Sequence, residues 1–137
     1  MYKEEAIIRR RARTVLKTFP KLRRIANADL TSIRSYVFSD TKVTSSKKNN
    51  ADEKITRKID ADNRIDDIAQ ALNQLTEMSK TMLFKSYCEM HKSSNVALGN
   101  EFGYSDKGIE RLKRIALIEF AEAYKCGLLL DSDEEEI

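Results

Sequence analysis

Between Ser94 and Tyr124 the chain carries two serines of the helix-starting kind, with Gly103 placed shortly before the second. That spacing leaves few folds open: a short helix, a tight turn and a longer helix. The first segment runs Ser94-Asn-Val-Ala-Leu-Gly-Asn-Glu-Phe102, the turn is Gly103-Tyr104, and the second segment runs from Ser105 to Tyr124. A serine oxygen at the start of a helix accepts an otherwise unpaired amide hydrogen of the first turn. Gly103 can adopt the left-handed conformation that ends one helix and redirects the chain.

The second segment is amphipathic in a particular way. At about 100° per residue, and with Ile109 set at zero, Leu112, Ala116 and Phe120 fall within roughly 60° of it and form an apolar seam. Lys107, Arg111 and Arg114 fall on the opposite side, in a fan of roughly 60°. A charge run on a helix is ordinarily a solvated face. Here a short helix, a glycine turn and a serine cap precede it, and together these features predict a helix that enters the major groove of DNA. Lys107, Arg111 and Arg114 are the candidate base readers, because arginine can bond guanine O6 and N7 together. Ser105 and the amides of its turn are candidates for a phosphate. Lys113 lies nearer the seam and is assigned to packing of its stem or to a phosphate contact.

Elsewhere the sequence also reads as helical. Four glycines and one proline in 137 residues, with no apolar alternation, predict an all-α protein with one modest core. Glu4–Phe19 is expected to form a helix with Ile7, Ile8, Ala12, Val15, Leu16 and Phe19 on one side, stopped by Pro20. Shorter helices are expected over Lys21–Ala28 and Thr31–Phe38. A polar stretch over 39–51 reads as a flexible linker. Beyond it, Ile55, Ile59, Ile65, Ile68, Ala69, Leu72 and Leu75 share a helical side, with a break expected at Asn63. Ser79 is expected to cap a further helix bearing Met82, Leu83, Tyr87 and Met90, a stripe that reads as core. The predicted organisation is a basic amino-terminal segment (1–38), the linker, a DNA-binding domain (52–127) and an acidic tail (128–137).

The net charge of +3 conceals opposite ends. Met1–Arg24 holds nine Lys and Arg against two acids, and Asp131–Glu136 holds five acids. Arg9, Arg10, Arg11, Arg13 and Lys17 can serve as a second DNA clamp, or their helix can pack on another subunit or on RNA polymerase; composition does not choose. No apolar run approaches a membrane span of roughly 20 residues, and the basic start lacks a secretory core, so a cytoplasmic protein is expected. Cys88 and Cys126 have no metal-ligand spacing and read as reduced packing residues. With one histidine, His91, no multi-histidine zinc site is available, and neither a metal nor a cofactor is expected. No nucleophile-base, paired-carboxylate or phosphate-loop constellation points to an enzyme.

Ile68–Tyr124 resembles region four of bacterial sigma factors, through Ala71, Leu72 and Leu75, then Met82, Leu83 and Tyr87, then Leu98, Gly103, Ser105, Ile109 and Ala116. Gly99 stands where sigma-like helices carry alanine, and Gly108 lies on the long helix itself. Phe102-Gly-Tyr-Ser105 and Arg111-Leu-Lys-Arg-Ile-Ala-Leu-Ile-Glu-Phe-Ala-Glu-Ala-Tyr124, with Val15-Leu-Lys-Thr-Phe-Pro-Lys-Leu-Arg-Arg-Ile-Ala26 and Ile59-Asp-Ala61, resemble the ArpU family of phage-encoded transcriptional regulators. That resemblance implies regulation of late phage or prophage genes, for packaging and lysis or for host autolysin. Double-stranded DNA is the implied partner, with RNA polymerase and a second copy of the chain as further ones. A small terminase subunit that assembles as a ring, and a sigma-like adaptor that binds polymerase alone, are the alternative readings.

Overall fold

Every regular element among the described residues is helical, as the composition predicts. The computed structural model describes residues 4–27 and 45–131, with the backbone alone for 45–50. Helix α1 spans Glu5–Lys17, with Glu5 in its first turn and Lys17 in its last, each opposing the helix dipole. Pro20 does end α1, and it sits in the first turn of α2 (Phe19–Ala26), where a missing amide hydrogen costs nothing. The helix expected over Thr31–Phe38 lies outside the described residues, as do residues 39–44 of the expected linker.

Helix α3 covers Ser45–Asn73 without interruption. The structure therefore differs from the sequence reading twice: the end of the expected linker is helical, and Asn63 breaks nothing. Once a helix is nucleated, each added residue gains a hydrogen bond for little further ordering, so polar residues can extend it without burial. Its apolar side is also discontinuous. Ile68 and Leu72 are buried, but Ile55 and Ile59 are exposed, and the other buried positions are Ala51, Ala61 and Ala71.

Helix α4 (Glu77–Leu83) is capped by Thr76, whose hydroxyl accepts from the Ser79 amide at 3.2 Å. Ser79, the expected cap, lies one turn inside the helix. A π-helical turn, Phe84–Cys88, follows. Tyr87 lies in that turn and is buried, while Met90, expected on the same stripe, falls beyond the helix end at Cys88, where Glu89 is extended, and is 64% exposed. Helices α5 (Asn95–Phe102) and α6 (Asp106–Ala123) come next, then a tight turn over Tyr124–Leu130 in which Lys125, Cys126 and Gly127 all have positive φ. Leu129 in that turn, within the range expected to form the acidic tail, is fully buried.

The described residues form two compact units, Met1–Pro20 with Asp66–Ile137, and Lys21–Ile65. In the second, Leu22, Ala26, Ala51 and Ala61 are buried, and Lys58 pairs with Asp62 at 3.1 Å. In the first, α6 is the central element: α1, α4, α5 and the carboxyl-terminal turn all pack on it. Thus α1, expected in a separate amino-terminal segment, belongs to the same unit as α5 and α6. Met82, Leu98 and Ile109 form a buried cluster with Met78, Phe102 and Leu112 around it. Phe19 meets Phe84 edge to face at 5.8 Å, and Phe120 stacks on Tyr124 at 5.4 Å.

Candidate nucleic-acid interface

The turn between α5 and α6 is built as its residue types predict. The Ser94 hydroxyl accepts from the Ala97 amide and the Ser105 hydroxyl from the Gly108 amide, each at 3.1 Å. Gly103 ends α5 at φ 80°. The amides of Gly103 and Tyr104 both donate to the Gly99 carbonyl, at 2.8 and 2.9 Å. This draws the Tyr104 carbonyl so close over α5 that a β-carbon on Gly99 would collide with its oxygen. Only glycine fits there without moving the Tyr104 carbonyl.

The seam of α6 is buried as expected at Ile109, Ala116 and Phe120, with Leu112 partly covered. Leu117 and Ala121 are buried as well, because α1 packs along a second side of α6. The cationic fan stays outside: Lys107, Arg111 and Arg114 are all exposed. Ser105 is exposed too, and its role as a cap engages an oxygen lone pair but leaves its hydroxyl hydrogen to donate.

Lys113 is separated from that fan. Its ammonium donates to Asn95 Oδ1 at 2.7 Å and lies 5.3 Å from the centre of the Tyr87 ring. Burial holds its pKa below the ordinary lysine value, with Glu110 opposing that effect and Arg13 adding to it. Both the Asn95 and the Tyr87 contacts are made by the ammonium itself, which they hold within the protein. Burial likewise raises the Tyr87 hydroxyl, with Arg13 acting the other way.

The basic positions of α1 are divided among different tasks. Arg9 pairs with Glu5 at 3.5 Å, and Arg9 and Arg13 line a groove of about 320 Å³ together with Lys113 and Arg114 of α6. Arg11, on the other side of α1, donates to the carbonyls of Leu129 at 3.1 Å and Asp131 at 2.5 Å. Arg10 and Lys17 are exposed.

Sequence reasoning passed over Ile115 and Ile118. Ile115 is 51% exposed, and both line a second groove of about 440 Å³ that also includes Arg111 and Arg114. Their place on the wheel was the available signal, since Ile118 falls inside the cationic sector and Ile115 about 40° beyond it. Glu119, beside them, accepts from the Ser79 hydroxyl at 2.7 Å. Both cysteines are free. Cys88 is buried, with its pKa pushed up to about 12 by desolvation, but Cys126 is exposed in the carboxyl-terminal turn and is not a packing residue. Among the described residues no helix is long and apolar enough to cross a membrane.

A curated protein of Enterococcus hirae bearing the name "Putative autolysin regulatory protein ArpU" is 39% identical to this chain over 119 residues, which span 87% of each protein. No protein-family model and no solved structure matches the chain.

Proposed function

Because the chain belongs to the family of the autolysin regulatory protein ArpU, we propose that it is a sequence-specific DNA-binding regulator of transcription that lays the amino-terminal half of α6 in the major groove. One observation carries this reading: Lys107, Arg111 and Arg114 are all exposed on the side of α6 opposite the seam buried against Met82 and Leu98. An α-helix with side chains is about 10–12 Å across and the major groove about 12 Å wide, so one helix fills it. Lys107 and Arg111 then meet base edges, and the hydroxyl hydrogen of Ser105 and the first amides of α6 meet a phosphate. The genes controlled are late phage or prophage genes, for packaging, lysis or autolysin. No chemical step is involved, so the protein is not an enzyme.

Footprinting on DNA upstream of neighbouring late genes tests the reading, since a protected site gives length and symmetry together. Arg111→Ala is expected to relax base preference at one position by about 1–3 kcal/mol. An Arg111→Ala protein that folds normally and keeps its selectivity would show that α6 reads with another face.

A second reading, an adaptor that binds RNA polymerase, is favoured by Ile115 and Ile118, whose apolar surface suits a protein better than a phosphate. The two readings separate on promoter binding by the isolated protein. Binding that weakens as salt rises supports DNA recognition, and its absence supports the adaptor.

A further inference from the structure

The groove between α1 and α6 gathers Arg9, Arg13, Lys113 and Arg114 against a single carboxylate, Glu110. Neither Arg13 nor Arg114 makes an ion pair among the described residues, and Arg9 is held only by Glu5 on its own helix. Arg13 is close enough to Lys113 and Tyr87 to influence both, so the positive charges converge in a partly enclosed space. Like charges gathered at low dielectric repel one another, and an anion seated among them relieves that repulsion.

The position of the groove indicates which anion. On the α6 wheel its residues Glu110 and Leu117 lie roughly 70–90° from the centre of the Lys107, Arg111 and Arg114 fan, and Arg114 borders both surfaces. When a helix fills the major groove, its leading face meets base edges and its flanks meet the sugar-phosphate walls. Arg9 and Arg13 sit one turn apart on α1, the helix packed on that flank.

We propose that Arg9 and Arg13 of α1, with Arg114 of α6, form a clamp for the DNA backbone phosphates flanking the groove that α6 enters. This rests on the DNA-binding reading above. It assigns the contact to two of the five basic positions of α1: Arg11 is committed to the carboxyl-terminal turn, and Arg10 and Lys17 do not line the groove.

The test is fluorescence anisotropy of the full chain with a mixed-sequence duplex across a salt series. Each phosphate contact contributes about 0.9 to the slope of log affinity against log salt, so Arg9→Ala with Arg13→Ala is expected to lower the slope by roughly 2. Affinity should fall equally for all sequences. Arg9→Lys with Arg13→Lys should keep most of the slope, because a phosphate wall asks for charge more than shape, and this pair keeps the test valid should the alanine pair unfold. Arg10→Ala with Lys17→Ala should change the slope by less than about half a unit. An unchanged slope in a folded Arg9→Ala, Arg13→Ala protein, or equal losses in both alanine pairs, would overturn the clamp while leaving DNA binding intact. Failure of the unaltered chain to bind any duplex would instead remove the DNA-binding reading, and the clamp with it.

Discussion

Gly99 and Gly108 look alike in the sequence, each a helical glycine with a propensity cost near 1 kcal/mol, but they differ in what surrounds them. A β-carbon on Gly99 collides with the Tyr104 backbone carbonyl, which cannot retreat without opening the turn. At Gly108 the nearest atoms are the Ser105 hydroxyl at 3.4 Å and the Tyr104 β-carbon at 3.5 Å, which is ordinary contact. Gly99→Ala is therefore expected to destabilise by about 1–3 kcal/mol, and Gly108→Ala to be neutral or to stabilise by up to about 1 kcal/mol. Chemical denaturation of both proteins checks this, and equal effects would contradict the geometry of the turn. Composition and propensity do not separate the two glycines, because the difference depends on where a carbonyl five residues away points.

Among the elements, α5 and α6 were the most legible. Their caps, the left-handed glycine and the buried seam are local features, set by residues within a turn or two of one another. Ser105→Ala removes the oxygen that receives the Gly108 amide and should cost about 1 kcal/mol of stability, measurable in the same denaturation experiment. A loss below a few tenths would mean that the first turn of α6 is frayed. Elements that depend on neighbours were read less well. Thr76 caps α4, and Ser79 instead reaches across to Glu119 of α6. Met90 leaves its stripe because the helix ends at Cys88 and Glu89 turns extended, a stop that no periodicity count anticipates. Leu117 and Ala121 are buried by α1, a partner that the wheel of α6 alone does not include. On the proposed interface, three exposed cations were found by wheel geometry, and Lys113 was withdrawn from them by Asn95 and Tyr87, residues remote in sequence.

At the scale of the whole chain, the unit containing α6 is closed by contacts between its first and last described segments. Arg11 of α1 holds the carbonyls of Leu129 and Asp131, and Leu129 is fully buried beneath them. Charged donors to carbonyls stabilise by about 1.5–3 kcal/mol when sheltered and less when partly exposed, as here, so Arg11→Ala should cost about 1–2 kcal/mol. It should also speed hydrogen exchange at the Leu129 and Asp131 amides, and unchanged exchange there would show that the turn is held by its apolar contacts alone.

The docking of α1 on α6 also has a consequence for synthesis. A ribosome adding about 5–20 residues per second releases α1 several seconds before α6 exists. Through that interval Ile8, Val15 and Leu16, all buried in the finished protein, have no α6 to cover them. A nascent chain halted before Asp106 would carry the arginines of α1 without the helix that gives them their groove.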